Sequence, residues 1–242
     1  MNSIRELSFW LRNSFFGKVR LRRNLPAALT LASQESRFFR LILGRSAQTY
    51  PELLEPYHLI DIGCGSGASL PALIESLPQF QSISLIEADG GRRYLNLYRR
   101  RDQIQAQVES AQAHFPQSKI QYKIADFTKL SPPPDLCEPQ ASLLAFCSYP
   151  FVFTDPCRSW GLPDRFANWN EQVKTLQDWR RSLNLKKLLL LSVHQGIDEK
   201  EESLRQLQEI AQVRGTFIVP PDEWREYWPS PYEAHVILSE IT

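Results

Sequence analysis

The sequence predicts an α/β domain with a doubly wound, seven-stranded, mostly parallel sheet, a closing antiparallel hairpin and a helical N-terminal cap. Short apolar segments typical of buried strands alternate with segments of helical periodicity, which indicates a parallel sheet with crossover helices. A glycine cluster at residues 63–67 directly follows the first strand segment. The last two strand segments lack a long helix between them, which favours an antiparallel pair.

The first fifty residues are predicted to be a helical cap or lid (1–50), and residues 51–242 the main domain. Apolar side chains recur at helical spacing from Ile4 to Phe15, and a second apolar face runs from Leu29 to Leu43. The cap holds nine Lys and Arg residues against two acidic ones, so its net charge is +7 whereas that of the whole chain is +1. Such a basic segment either faces an anion or docks on the more acidic remainder. Residues 49–52 match a capping box that opens a short helix.

The main domain shows strands and helices in regular alternation. Segments rich in Ile, Leu and Val predict strands at residues 57–62, 82–87, 120–125, 142–146, 187–192, 216–219 and 234–241. Helical spacing predicts helices at residues 68–77, 92–114, 169–181 and 201–213. This order predicts the parallel sheet and, from the last two strands, the hairpin.

Composition restricts the classes of function. The chain has 242 residues, of which 43% are hydrophobic and 23% charged, as in soluble globular proteins. The four cysteines, at positions 64, 137, 147 and 157, include no Cys-x-x-Cys pair, so we expect thiols in a reducing compartment and a cytoplasmic protein. A transit peptide is the alternative for the Arg-rich start. We expect no metal site and no membrane span.

The most informative motif is the glycine cluster after the first strand, Asp61-Ile-Gly-Cys-Gly-Ser-Gly67. Gly63 can adopt a positive φ for the sharp exit from the strand. Gly65 and Gly67 have no Cβ, so a ligand can lie against bare backbone at the start of the next helix. In doubly wound sheets ligands bind at the carboxyl ends of the strands, which is where this loop is expected.

Three acidic residues are expected around this loop. Glu87 ends the second strand and is placed to accept hydrogen bonds from two ribose hydroxyls; Asp126 follows the third strand and could accept one from an exocyclic amine. The cluster also fits the dinucleotide fingerprint in its G-x-G-x-x-A form, so a nicotinamide dinucleotide is the runner-up cofactor. Asp61 would repel a pyrophosphate but suits an ammonium group. The pattern therefore favours a nucleoside that carries an amino-acid chain.

At these positions the sequence resembles the class I S-adenosylmethionine-dependent methyltransferases. Asp61 to Gly67 match motif I of that family, Glu87 its ribose-binding acid, and Ala125-Asp126-Phe127 its adenine-contacting segment. The resemblance covers residues 57–242 in strand order. It implies a Rossmann-like methyltransferase fold, methyl transfer as the activity, and S-adenosylmethionine as cofactor with S-adenosylhomocysteine as product. The implied cofactor-binding residues are Asp61, Gly63, Cys64, Gly65, Gly67, Glu87, Ala88, Asp126, Phe127 and Cys147.

Candidate catalytic residues follow the fourth and fifth strands. Ser148-Tyr149-Pro150-Phe151 partly matches the Asn/Asp/Ser-Pro-Pro-Tyr/Phe motif of methyltransferases that act on nucleic-acid bases or amide nitrogen, but Tyr149 replaces the first proline. The alternative is a strand end that turns into an aromatic packing site. His194 ends the fifth strand at the expected ligand rim, which makes it a candidate base. A buried structural histidine is the alternative reading.

These observations predict a methyltransferase that acts on a small molecule or metabolite, with the N-terminal helices as a lid. Catalysis is expected to depend chiefly on positioning, because a sulfonium already activates the methyl group. A macromolecular methyltransferase that docks RNA or protein through the basic N-terminal segment is an alternative. A non-catalytic subunit that binds S-adenosylmethionine and activates a partner is another.

Overall fold

One mixed sheet organises the computed structural model, which describes residues 25–64, 67–87, 97–138, 140–148, 165–224 and 233–242. Its strands are β1 (His58–Ile62), β2 (Ser82–Glu87), β3 (Lys119–Ile124), β4 (Ser142–Ser148), β5 (Lys187–Gln195), β6 (Ala211–Val219) and β7 (Ala234–Ile241). Their order is β3-β2-β1-β4-β5-β7-β6. The predicted α/β class and seven-stranded sheet are confirmed.

Helices and short 3-10 turns connect the strands. The helices are α1 (Leu25–Thr49), α2 (Ser69–Ser76), α3 (Leu97–His114), α4 (Arg165–Leu183), α5 (Ile197–Leu207) and α6 (Pro221–Trp224). The 3-10 turns are Pro51–Leu54, Phe127–Lys129 and Pro134–Cys137. Among the described helices, none has both the length and the apolar character needed to cross a membrane.

The strand order reverses at the centre of the sheet. β1 pairs in parallel with β2 on one side and with β4 on the other. The crossover helices that follow β1 and β4 therefore lie on opposite faces, and the carboxyl ends of β1 and β4 mark the point where the winding reverses. β7 runs antiparallel between β5 and β6, which confirms the predicted closing hairpin.

Each face of the sheet buries its own apolar layer. On one face, Leu59, Leu85 and Phe146 pack with apolar residues of α1, α2 and α3. On the other, Ile60 and Leu190 belong to a cluster with apolar residues of α4 and α5. Because both faces are covered, the inner strands are apolar on both sides, as parallel strands usually are.

The second half of α1 packs against the domain. Phe38, Ile42 and Leu43 are buried in the same layer as α2. Phe39 contacts the ring of Phe146 edge to face, with 6.0 Å between the ring centres. This helix confirms the helical structure predicted for residues 29–43. Residues 1–24, with the predicted helical face from Ile4 to Phe15, lie outside the described residues.

Two local predictions are wrong. Thr49 is the last residue of α1 and not a cap, and the turn Pro51–Leu54 follows Tyr50, which makes no capping hydrogen bond through its side chain. The helix predicted for residues 201–213 ends at Leu207, and residues 211–213 already belong to β6. A bulge between Val213 and Gly215 interrupts the alternation of β6, so the sequence pattern shows only the second half of this strand.

Candidate functional site

The turn after β1 is fixed by the backbone of β2. The N–H groups of Gly63 and Cys64 both donate to the carbonyl of Ile86, at 2.8 and 3.1 Å. Gly63 has a φ of +74°, and a Cβ there would meet no atom of the described residues within 4 Å. Gly67 has a φ of +73°, and a Cβ there would lie 3.2 Å from Cγ1 of Ile104. Gly63 therefore leaves open space beside the strand end, whereas Gly67 allows α3 to pack closely.

Asp61 lies in β1 with its side chain completely buried. Ser69, the first residue of α2, donates a hydrogen bond from Oγ to Oδ2 of Asp61. Oδ1 has no hydrogen-bond partner among the described residues. Burial raises the pKa of Asp61 to about 7; the bond from Ser69 lowers it, and the nearby carboxylate of Glu87 raises it. A buried acceptor without a donor is costly, so this position suits a ligand that brings one.

Glu87 is the last residue of β2 and is half-buried. Its backbone carbonyl accepts a hydrogen bond from the N–H of Ala125 at 3.0 Å. This bond continues the pairing of β2 with β3 beyond the end of β3. The structure thus brings Asp61, Glu87 and Asp126 to the same edge of three neighbouring strands.

Asp126 occupies the start of the turn that follows β3. Its Oδ1 accepts hydrogen bonds from the N–H of Thr128 at 3.1 Å and from the Thr128 hydroxyl at 2.7 Å. Its Oδ2 lies 3.2 Å from Nζ of Lys129. Burial raises the pKa of Asp126, but the bonds from Thr128 and Lys129 outweigh that effect and lower it. Phe127, the next residue, is buried against Trp179 with 5.1 Å between ring centres.

The end of β4 lies beside β1. Cys147 is buried and pairs in register with Ile62, and Ser148, half-buried, is the last residue of the strand. Burial raises the pKa of the Cys147 thiol, and the charge of Asp61 raises it further. Cys147 therefore remains a thiol at neutral pH and is a poor nucleophile. No disulfide joins Cys64, Cys137 and Cys147, the cysteines among the described residues.

His194 lies near the end of β5, directly opposite His235 of β7. Its side chain is completely buried, Nε2 lies 2.8 Å from Oγ of Ser192, and the ring of Trp169 stands edge-on at 5.8 Å. Burial lowers the pKa of His194 to about 3, and His235 lowers it further. A group with so low a pKa is a weak base near neutral pH, which favours the structural reading of this histidine.

Three of the predicted site residues, Gly65, Ala88 and Tyr149, lie outside the described residues. The structure adds two neighbours that the sequence pattern did not single out. Ser69 reaches Asp61 from the start of α2, and Gln172 of α4 has Oε1 4.0 Å from Sγ of Cys147. A hydroxyl residue just after a glycine cluster could have indicated Ser69. Gln172 comes close only through the packing of α4, which no local pattern encodes.

The fold is similar to those of solved methyltransferase structures. A SAM-dependent methyltransferase from Aquifex aeolicus aligns with a TM-score of 0.51 and 13% identity, over 87% of this chain and 98% of the other. The mitomycin 7-O-methyltransferase MmcR aligns with a TM-score of 0.50 and 11% identity, over 97% of this chain and 60% of the other. These likenesses confirm the predicted Rossmann-like methyltransferase fold. No family model matches the chain, and the search of curated proteins found no match.

Proposed function

We propose that the chain is a methyltransferase that binds S-adenosylmethionine at the carboxyl ends of β1, β2 and β3. The observation that carries this proposal is the buried carboxylate of Asp61, whose Oδ1 has no partner among the described residues. An ammonium group, directly or through one water, would supply both the donor and the charge that this oxygen lacks. A pyrophosphate would meet repulsion at the same position, which argues against a dinucleotide.

The other strand-end residues fit the same ligand. Among the described residues no side chain caps the start of α2. The N–H of Leu70 donates to the carbonyl of Gly67 and Pro71 has none, so Ser69 supplies the N–H of this first turn that can bind the carboxylate of the amino-acid chain. Gly63 leaves open space where that chain would pass. Glu87 is half-buried at the end of β2, where its carboxylate can accept hydrogen bonds from ribose hydroxyls. We assign Cys64 and Gly67 to the same site, and Gly65, which lies outside the described residues, stays a predicted cofactor-binding residue.

The expected chemistry is the placement of two reactants. When bound, S-adenosylmethionine supplies a methyl group that its sulfonium activates. Asp61 would hold the amino-acid chain of the cofactor and Glu87 its ribose, and the end of β4 with Cys147 and Ser148 forms the side toward the acceptor. Because His194 is a weak base, we expect the acceptor to need little proton removal or to lose its proton to water.

The acceptor that we propose is a small molecule or metabolite, with residues 1–50 as the cap over its site. Arg40 forms an ion pair with Glu75 of α2, and Arg45 forms one with Glu223 of α6. In both pairs a positive charge of the basic segment is neutralised by an acidic residue of the domain. This supports a cap that docks on the domain, and it argues against a surface that binds RNA or another polyanion. Thiols at Cys64 and Cys147 suit the reducing cytoplasm that we propose as the location.

Thermal melting with S-adenosylmethionine, S-adenosylhomocysteine or NAD tests the cofactor. A ligand at a hundred times its dissociation constant adds about 2.7 kcal/mol, which raises the Tm of a chain this size by roughly 5–10 °C. Both adenosyl ligands should give this shift, and Asp61→Asn and Glu87→Gln should reduce it. Glu202→Gln, which removes an exposed ion pair with Arg205, is the matched control. No shift with either adenosyl ligand, or a shift with NAD alone, contradicts the proposal.

Two further measurements separate the alternatives for the acceptor. A steep loss of RNA binding between low and moderate salt would indicate a macromolecular acceptor, whereas no salt-sensitive binding agrees with a small one. Methyl transfer from a radiolabelled donor to a metabolite mixture, measured for the chain alone, tests catalysis directly. Transfer that occurs only after a second protein is added would indicate the non-catalytic subunit.

A further inference from the structure

The carboxylate of Asp126 is already engaged within its own turn. Oδ1 accepts hydrogen bonds from both the N–H and the hydroxyl of Thr128, which uses both lone pairs of that oxygen. Oδ2 faces the ammonium group of Lys129 at 3.2 Å. A further donor at Asp126 would therefore have to share Oδ2 with a cation.

The rest of this turn is anchored on both sides. The N–H of Ala125 donates to the carbonyl of Glu87 at 3.0 Å, which ties the turn to the end of β2. The buried ring of Phe127 packs on Trp179 of α4, which ties it to the helix below. The bonds from Thr128 to Asp126 complete the turn between these anchors and determine the direction of its backbone.

The nucleobase of the proposed cofactor carries a neutral amine, which would be a hydrogen-bond donor to Asp126 at this edge of the sheet. A carboxylate binds an ammonium group such as that of Lys129 more strongly than it binds a neutral amine. Because Lys129 is exposed, this difference in strength is smaller here, but it remains. The two bonds from Thr128 are local and form whether or not a ligand is present. Both observations indicate that the carboxylate of Asp126 caps the turn. They argue against a hydrogen bond from the exocyclic amine of the base to this carboxylate.

We infer that Asp126 is a positioning residue, whose carboxylate caps the turn beside the nucleobase and does not accept a hydrogen bond from its exocyclic amine. This inference rests on the proposed function, because it concerns the same pocket. It implies that the pocket recognises the base by shape and backbone, and that the chain gains little from the 6-amino group at Asp126.

A binding experiment with two ligands separates the roles. S-adenosylhomocysteine and S-inosylhomocysteine, in which oxygen replaces the 6-amino group, are titrated calorimetrically into the wild type, Asp126→Ala, Asp126→Asn and Lys129→Gln. Asp126→Ala removes the cap, so it should lower the affinity for both ligands by the same factor, roughly 3–10. Asp126→Asn keeps an oxygen for Thr128, so it should bind both ligands within about twofold of the wild type. Amide exchange without ligand gives a second readout, in which Asp126→Ala but not Asp126→Asn exposes the N–H of Thr128.

Each other result overturns the inference. A penalty in Asp126→Ala that appears only with the adenosyl ligand shows that the carboxylate reads the amine. Tighter binding of that ligand alone in Lys129→Gln shows the same, because Lys129 would then compete with the amine. Unchanged affinity for both ligands in Asp126→Ala removes any role. A wild type that binds neither ligand overturns the proposed function and this inference together, and differs from the other outcomes because no variant is needed to see it.

Discussion

Ser69 donates a hydrogen bond to the completely buried carboxylate of Asp61, and so joins the first turn of α2 to the strand that precedes the glycine turn. One oxygen of the carboxylate is thereby satisfied within the protein. The other, Oδ1, has no partner among the described residues. The pair thus holds Asp61 in place while leaving part of its bonding capacity for a ligand, at some cost in stability.

Replacing Asp61 by Asn should stabilise the unliganded protein above neutral pH. The folded pKa of Asp61, about 7, lies above its ordinary value, so its contribution to stability is present at low pH and is lost as pH rises from about 4 through about 7. The loss is on the order of 4 kcal/mol. Urea unfolding from pH 4 to 8 measures it as the difference between Asp61→Asn and the wild type at each pH. A constant difference would contradict the assignment, and Glu202→Gln should behave as the wild type.

Binding of S-adenosylhomocysteine should release protons below pH 7. The ammonium group of the ligand favours the charged form of Asp61, so the carboxyl must lose its proton when the complex forms at pH 6. Affinity should therefore rise with pH and level off above about 7. Calorimetry at pH 6 in two buffers of different ionisation enthalpy counts the released protons. The same release by Asp61→Asn would show that another group titrates.

Because of His194, the free energy of unfolding should fall as the pH falls below about 6.5. Its folded pKa, about 3, lies below the ordinary value of about 6.5, so its stability contribution is present above about 6.5 and is lost as pH falls toward 3. The loss reaches on the order of 4–5 kcal/mol. His235, opposite it, has a pKa that burial lowers and Glu233 raises, and Lys200 lowers it further. His194→Asn should reduce the pH slope of the unfolding free energy between pH 4 and 6.5, and the buried His58 and His235, whose pKa values are also lowered, should keep a smaller slope in place. Gly44→Ala changes no titratable group and should leave the wild-type slope.

A methyl group at Gly67 should destabilise the fold. The φ of +73° costs an L residue about 1–2 kcal/mol, and the new Cβ would lie 3.2 Å from Ile104. Gly67→Ala should lower the Tm by roughly 3–8 °C. Gly44→Ala is the matched control, since nothing lies within 4 Å of its Cβ position in α1 and the helix gains about 0.5–1 kcal/mol. Equal effects of the two substitutions would contradict the argument.

Gly215 and Tyr50 should be energetically coupled. A Cβ at Gly215 would lie 2.6 Å from the hydroxyl oxygen of Tyr50, whose buried ring also packs near Phe217 at 6.1 Å. Gly215→Ala should therefore cost about 1–3 kcal/mol through overpacking. In a Tyr50→Ala background the same change should cost far less, and denaturant unfolding of the four proteins measures the difference. If the free-energy changes of the two substitutions are additive, contact with Tyr50 is not the cause of the cost of Gly215→Ala, which would contradict the coupling.

The sequence predicts the parts of this fold that local patterns encode. Strands such as β1 and β2 are short segments rich in Ile and Leu. Their ends bring Asp61 and Glu87 to one edge, so the acidic rim follows from strand order alone. β6 is half hidden because its bulge at Gly215 breaks the alternation that identifies a strand. The hydrogen bond and the ion pair of the Asp126 carboxylate depend on Thr128 and Lys129 in the turn that follows. No sequence pattern used above predicts this turn.

The burial of His194 depends on contacts that are distant in sequence. Its neighbour across the sheet, His235, is about forty residues away, and Trp169 reaches it from α4. Only the pairing register of β5 with β7 and the docking of a helix decide that this residue lies in the interior. A histidine at a strand end therefore looks the same in sequence whether it faces a ligand or the core.

β7 is the last of the described strands along the chain, yet it lies between β5 and β6. During synthesis β5 emerges with its apolar run Leu188–Leu191 and an unpaired edge, and β6 has no neighbour to join until β7 follows. At about 5–20 residues per second, this interval lasts roughly 2–10 seconds on the ribosome. During that period the edge of β5 is open to wrong pairing, so a chaperone that shields this edge would act then.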